Sequence, residues 1–371
     1  MAGNDGNIRK IAISTGGGDA PGLNAVIRAA VVSALCEGWE CVGIRDGYNG
    51  LLEAGKYPEG GLVRLDRSSV RGITHLGGTI IGTTNRGDPR AYPVQAEGGS
   101  WSEVDRTDEL VQAFADHGID ALIAIGGDGS LAIANTLAEK GLKVVGVPKT
   151  IDNDLEETQV TFGFDTAVTF ATECIDRLHT TADAHDRLMV IEVMGRYAGW
   201  IALHSGLAGS ADAILIPEIP YDLESVAKVI RRREAAGRHF SIIVVAEGSH
   251  PAGGAPSVIG NDIGQAERLG GIGHRVAAEL EEMTGKETRT VVLGHLLRGG
   301  SPTTRDRILS LRFGAAAVRA IREGCLGCMV SLDPPEVRYV PLALVTKRIK
   351  TVPLDSDTVR TVRDLGVSLG D

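Results

Sequence analysis

The chain has 371 residues and 43% apolar content, with 38 basic and 48 acidic side chains giving a net charge of -10. That length predicts two or three domains and a core large enough to need no staples. The acidic balance argues against a general nucleic-acid binder, which carries a basic face, but leaves room for anionic substrates held by a local arginine cluster.

In chain order, short apolar runs alternate with amphipathic stretches. Strands are predicted at Ile11–Ser14, Glu40–Ile44, Ala121–Ile125, Val144–Val147, Leu188–Val193, Ala213–Ile216, Ser241–Ala246 and Thr290–Leu293. Several are continuously apolar, as strands covered on both faces should be. Helices are predicted between them, at Gly22–Cys36, Thr107–Asp116, Leu131–Glu139, Phe164–Ala182, Ala198–Leu207, Leu223–Ala236, Ile263–Met283 and Arg305–Arg322. The alternation implies an α/β fold of two doubly wound domains with mainly parallel sheets, and the active site is expected in the cleft between them. The expected division is 7–160 plus 294–347 for one domain and 161–293 plus 348–371 for the other. The proline-punctuated segment Asp333–Asp371 reads as irregular.

Five cysteines (Cys36, Cys41, Cys174, Cys325, Cys328) form no secreted-type framework and fit a reducing compartment. Cys325 and Cys328 make a lone C-x-x-C, read as two ordinary thiols. MAGNDGNIRK has no apolar signal core, and no run reaches the roughly 18 apolar residues that would span a bilayer. The expectation is a cytoplasmic enzyme with no membrane or nucleic-acid partner.

The 49 glycines cluster beside the predicted strands. In an open parallel sheet ligands bind at the carboxyl ends of the strands, and the unusual residues sit there. Thr15-Gly16-Gly17-Gly18-Asp19 follows the first strand and Gly126-Gly127-Asp128-Gly129-Ser130 the third. Pro148-Lys149-Thr150-Ile151-Asp152-Asn153-Asp154 follows Val144–Val147, and Met194-Gly195-Arg196 follows Leu188–Val193. Glu247-Gly248 follows Ser241–Ala246, and His295 with Arg298 follows Thr290–Leu293.

Glycine loops opening helices let backbone N–H groups approach an anion, helped by the helix dipole. No G-x-x-x-x-G-K-[ST] loop occurs, so this is not the common P-loop, and either loop alone is equally a tight turn. Asp128 suits Mg²⁺ or a helix cap. Asp152 and Asp154 are two apart, so in extended backbone they face one pocket, as a base and a partner carboxylate or as an Asx-rich turn. Arg86, Arg187, Arg196, Arg289 and Arg298 lie near strand ends or in adjacent loops, and guanidinium forks suit phosphate oxygens.

The segments GGGDAPGLNAVIR, IGGDGS, PKTIDND, HDRLMVIEVMGRYAG, ETRTVVLGHLLRGGSP and DRIL, in that order from Gly16 to Leu309, resemble the signatures of the 6-phosphofructokinase family. The resemblance implies transfer of the γ-phosphoryl of ATP to the 1-hydroxyl of fructose 6-phosphate, with Mg²⁺ as cofactor. It makes Asp152 the base and Asp128 the Mg²⁺ ligand, with Gly18, Arg86 and Arg196 stabilising the phosphoryl group. Tyr48, Gly127, Gly129, Ser130 and Lys149 complete the donor site. Thr150, Asp152, Asp154, Met194, Gly195, Arg196 and Glu247 face the sugar, and Arg187, Arg289, His295 and Arg298 hold its 6-phosphate. Arg187 and Arg289 reach across from a neighbouring subunit, which implies a homo-oligomer, a tetramer or a dimer.

The sequence departs from the bacterial ATP-type pattern in three places. Lys149 replaces a glycine and is typical of pyrophosphate users, and Ile133 replaces a glycine beneath adenine. Val32 and His179 replace two arginines of the allosteric pocket, where Arg28 and Arg67 remain. Gly129 stands where pyrophosphate users carry aspartate, which favours ATP. The alternatives are a pyrophosphate-dependent phosphofructokinase and a catalytically inactive sugar-phosphate sensor on the same fold.

Overall fold

The computed structural model describes residues 8–95, 101–260 and 268–371. The strands are β1 (Lys10–Thr15), β2 (Glu40–Ile44), β3 (Leu62–Leu65), β4 (Tyr92–Gln95), β5 (Trp101–Val104), β6 (Ala121–Gly126), β7 (Val144–Thr150), β8 (Phe162–Gly163), β9 (Leu188–Val193), β10 (Ala213–Leu215), β11 (Ser241–Ala246), β12 (Val258–Gly260), β13 (Arg268–Leu269), β14 (Thr288–Val292), β15 (Cys328–Asp333) and β16 (Glu336–Pro341). The helices are α1 (Leu23–Cys36), α2 (Asn49–Leu52), α3 (Thr107–Asp116), α4 (Asp128–Glu139), α5 (Phe164–Ala184), α6 (Trp200–Ala208), α7 (Leu223–Ala235), α8 (Ile272–Thr284), α9 (Thr304–Glu323), α10 (Leu342–Val345) and α11 (Asp357–Asp364).

Two sheets organise the chain. The larger runs β16-β15-β7-β6-β1-β2-β3, with β8 beside β7. Its interior pairs are parallel, while β3 and β16 are antiparallel edges. The smaller runs β10-β11-β9-β14 and is parallel throughout. The period of two along each strand sends alternate residues to opposite faces. Ile11, Ile13, Ile123 and Ile125 join α1 and α9 in one core, while Ala12, Leu122 and Ala124 join α3 and α4 in another. In the smaller sheet Met189, Ile191 and Val193 pack with α5, α6 and α11, and Leu188 and Val190 with α7 and α8. Both sheets are therefore covered on both faces by helices.

In the larger sheet the order reverses between β1 and β6, and in the smaller between β9 and β14. Such switch points open a crevice at the carboxyl ends of the strands, and the two glycine loops, after β1 and β6, and the Met194–Arg196 and His295–Arg298 segments, after β9 and β14, begin there.

Three expectations need correction. Helix α4 begins at Asp128 rather than Leu131, so Gly129 lies in a helical first turn. Of the predicted Ile263–Met283 helix, residues 263–267 lie outside the described residues, Arg268–Leu269 is a strand, and the helix starts at Ile272. The segment Asp333–Asp371 is not irregular: Pro334-Pro335 is the turn of the β15–β16 hairpin, and α10 and α11 follow.

Candidate active site

The two glycine loops interlock. Gly16 N–H donates to Ile125 O at 3.0 Å, and the Ser130 Oγ sits where a side chain on Gly16 or Gly126 would have to be, 2.6 Å from either ideal Cβ. The 82–90 loop closes on the first glycine loop through Gly17 N–H to Thr84 O, 2.9 Å, and Thr83 Oγ1 to Gly17 O, 2.6 Å. Arg86 is exposed on that loop, where its N–H donates to Thr84 Oγ1 at 3.0 Å. Asp128 and Gly129 are exposed at the start of α4, and a Cβ on Gly129 would meet no atom within 4 Å.

Lys149 ends β7 beneath these loops, only 4% exposed, and its Nζ donates to Gly18 O at 2.6 Å. Burial, and then the Arg298 charge, bring its ammonium down to about 8, against the opposing pull of Asp128, Asp154 and Asp152. Arg298 arrives from the smaller sheet, after β14. Its Nη1 donates to Asp19 O at 3.2 Å and would stand 2.8 Å from a Cβ on Gly18. One guanidinium thus crosses from the second core to the first glycine loop.

Asp152 Oδ1 is sealed from solvent and has no hydrogen-bond partner among the described residues. Its carboxyl is raised above the usual range, first by burial and then by Glu247, while Arg298, Lys149 and Arg196 pull it back. Asp154 is also raised, by burial and then by the charges of Asp152 and Asp128. The two carboxyls titrate as a coupled pair, with Arg298, Lys149 and Arg196 favouring the ionised form of Asp152. Thr150 Oγ1 accepts from Asp152 N–H at 3.1 Å and so shapes the turn between them. Opposite, Gly195 adopts φ 141°, where an added Cβ would press 2.8 Å from Ala198 O, so only glycine passes the chain from Met194 to Arg196. Gly195 lies against Glu247, whose carboxyl burial raises and Arg196 lowers.

Not every expected residue joins this cluster. Arg187 precedes β9 and Arg289 opens β14, so both lie at the amino ends of strands whose carboxyl ends carry Arg196, His295 and Arg298. A six-residue strand spans about 20 Å, so one chain cannot bring all four to one phosphate. Glu287 holds both guanidiniums, Arg187 Nε at 2.9 Å and Arg289 through Nη2. His295 is exposed. Tyr48 is 7% exposed within the α2–α3 core and presents no open ring face, and Ile133 packs against the same core.

The phosphofructokinase family profile matches residues 10–321. The chain belongs to the phosphofructokinase family. It is 52% identical to an ATP-dependent 6-phosphofructokinase of Chloroflexus aggregans, over 98% of each chain. It is 49% identical to a pyrophosphate–fructose 6-phosphate 1-phosphotransferase of Amycolatopsis mediterranei, over 93% of this chain and 97% of that one. The solved phosphofructokinase of Pichia pastoris in the T-state superposes with a TM-score of 0.79 at 31% identity. This chain is covered to 99% and spans 37% of the Pichia chain.

The chain is a phosphotransferase, and phosphoryl transfer of this family needs a divalent metal. Among the described residues no three carboxylate, histidine or cysteine side chains form a ready-made cage. The Asp128 charge nevertheless reaches Asp154, whose carboxyl it helps to raise. One or two carboxylates beside phosphate loops suit a hard cation that keeps several waters and binds mainly through its substrate's phosphates.

Sequence reasoning missed a buried carboxylate that joins the two cores, Asp306, and a half-buried one within the second core, Glu218. Asp306 Oδ2 accepts from Thr166 N–H at 2.8 Å and Thr166 Oγ1 at 2.6 Å, tying the start of α9 to the start of α5. Glu218 accepts from Gly199 N–H at 3.1 Å and Val352 N–H at 2.8 Å. Lys350 was also missed. Glu218 and Lys350 are lone charges within ordinary segments, and Asp306, though it opens the DRIL segment, has no spacing that assigns it a role.

Proposed function

We propose that the chain is an ATP-dependent 6-phosphofructokinase. It moves the γ-phosphoryl of ATP to the 1-hydroxyl of fructose 6-phosphate, giving fructose 1,6-bisphosphate in cytoplasmic glycolysis. The observation that carries this reading is the buried, unpartnered Oδ1 of Asp152 at the carboxyl end of β7. A sugar hydroxyl brought to that oxygen supplies the missing partner, and the carboxylate then takes its proton. A binding-only sensor has no use for such a group.

In this reading residues 7–160 with 294–347 bind the donor, and 161–293 with 348–371 bind the sugar. The backbone around Gly18 and Gly127–Ser130 receives the donor phosphates. Arg86 and Arg196 offset charge on the phosphoryl group in transit, as fixed cations do best in a site closed to water. Asp128, with Asp154 behind it, would hold Mg²⁺, which when bound neutralises phosphate charge. Thr150, Met194, Gly195 and Glu247 orient the sugar. His295 and Arg298 take its 6-phosphate together with Arg187 and Arg289 of a second copy, so the working unit is a homo-oligomer.

ATP is favoured as donor by the open space at Gly129. A second reading, pyrophosphate, is favoured by the ammonium of Lys149 at the heart of the site. Fructose 6-phosphate turnover with Mg²⁺ and either ATP or pyrophosphate separates them. A higher kcat/KM with ATP is expected. A preference for pyrophosphate overturns the donor assignment, and no turnover with either, sugar binding intact, leaves the sensor.

A further inference from the structure

Late in its course the chain returns to the loop that carries Asp152. Leu155 and Ile349 form an antiparallel bridge, and Lys350 N–H donates to Asp154 O at 2.9 Å. The Lys350 ammonium then enters the loop. Its Nζ donates to Asn153 Oδ1 at 3.0 Å, Thr158 O at 2.9 Å and Gln159 O at 3.0 Å. All three donors of the ammonium are thereby used.

The strap's other flank is held by the second core. Trp200 Nε1 donates to Lys350 O at 3.0 Å, and the Lys350 ammonium lies 5.5 Å from the Trp200 ring centre. Two residues on, Val352 is fixed to Glu218. The lysine therefore bridges the Asp152 loop, which ends a strand of one sheet, to helix α6 of the other.

Asn153, between the two aspartates, is left-handed at φ 53°. A non-glycine residue keeps that conformation only where its surroundings over-determine it. The surroundings here are Thr161 N–H, 3.2 Å from Asn153 Oδ1, and the Lys350 ammonium on the same oxygen. Released from this clamp, Asn153 relaxes and Asp152 turns with it.

We infer that Lys350 is a positioning residue for phosphoryl transfer: by clamping Asn153 it holds Asp152 within reach of the hydroxyl it deprotonates. The inference rests on the reading of Asp152 as the base. Lys350 needs no contact with the reacting atoms, so its loss should strike the chemical step rather than substrate binding.

The test is steady-state kinetics on wild type, Lys350→Met, Lys350→Arg, Asn153→Gly and the Lys350→Met/Asn153→Gly double variant. Misplacing a catalytic group by about 1 Å costs on the order of 100-fold. Lys350→Met is expected to lower kcat about 10- to 100-fold, with KM for fructose 6-phosphate within about threefold of wild type. Lys350→Arg should restore most of kcat, since a guanidinium can serve the same acceptors. Asn153→Gly keeps the backbone angle and removes the clamped oxygen. Its loss should not multiply with that of Lys350→Met, because the two act through one contact. A kcat of Lys350→Met within twofold of wild type, a loss confined to KM, or multiplying losses would overturn the role. If Lys350→Met does not fold, Lys350→Gln and Asn153→Gly decide by the same kcat and KM split. The wild type is assayed first: no turnover there refutes the functional reading itself, whereas an active wild type with an unimpaired Lys350→Met refutes the role of Lys350 alone.

Discussion

Gly129→Asp is the sharpest probe of the donor site, because the protein itself should not notice it. Gly129 is exposed in the first turn of α4, and its added Cβ meets nothing within 4 Å. Aspartate is no worse than glycine in a helix and favourable near its start, so the thermal midpoint should stay level or rise slightly. The donor, by contrast, meets a second carboxylate beside Asp128. One negative charge about 5 Å from a phosphate charge, at an effective dielectric constant of about 30, costs roughly 2 kcal/mol, or about 30-fold in kcat/KM. Coupled-enzyme kinetics with both donors and a melting curve measure the two halves. Gly129→Asn, similar in shape but neutral, separates bulk from charge. Unchanged kcat/KM for ATP in the aspartate variant, or pyrophosphate use suffering more than ATP use, would refute the reasoning, and a midpoint several degrees lower would refute its structural premise.

Other expectations follow from single features. Because the Asp152 carboxyl is raised to about 6, its basic form is lost as pH falls through that value. The kcat/KM profile should then drop about tenfold per pH unit on the acid side, and a flat profile down to pH 5 would contradict this. Burial raises the Asp306 carboxyl to about 6 from an unfolded value of 3.8. The folded state therefore holds that proton more tightly, and stability falls by up to about 3 kcal/mol as pH rises through the window between the two values. Asp306→Asn should raise the thermal midpoint at pH 7 and lose that advantage near pH 4, and a lower midpoint at both would count against it. Mixing Asp152→Ser with Arg289→Ala should regenerate active sites after subunit exchange, if Arg289 serves its neighbour; demonstrated exchange without activity would exclude the shared site. Val32 packs against the α1–α9 core, and the His179 ring sits 2.7 Å from Gly209 O, so neither position carries a guanidinium. Regulation by phosphorylated effectors should be weak, and strong inhibition by phosphoenolpyruvate would contradict that.

Two strands buried along their whole length were legible to the residue, although Glu192 interrupts the apolar run of the first and Ser241 opens the second. Leu188–Val193 and Ser241–Ala246 coincide with β9 and β11, because burial on both faces demands a near-continuous apolar run. Edge strands were not legible. Leu62–Leu65 has only one fully buried residue, and Glu336–Pro341 has none. The α4 start was misplaced because Gly127 and Gly129 read as loop, whereas an exposed first turn tolerates glycine.

At the site, the glycine loops, Asp128, Lys149, Asp152 and Arg298 were readable, since each lies at or just beyond the carboxyl end of a predicted strand. Lys350, Glu218 and Asp306 were not. Their partners lie 197, 134 and 140 residues away in the chain, so only the folded structure connects them. Arg187 and Arg289 fall between these cases. Their residue type pointed to phosphate, yet the fold puts them at the far ends of their strands.

The measurement closest to the central claim is the turnover of Asp152→Ser with ATP and fructose 6-phosphate beside that of the wild type. The account predicts a kcat lower by about 10²- to 10⁴-fold, the range for loss of a positioned base, with fructose 6-phosphate still bound. A variant that turns over near the wild-type rate would show that the proton leaves by another route and that the buried Oδ1 is not the base.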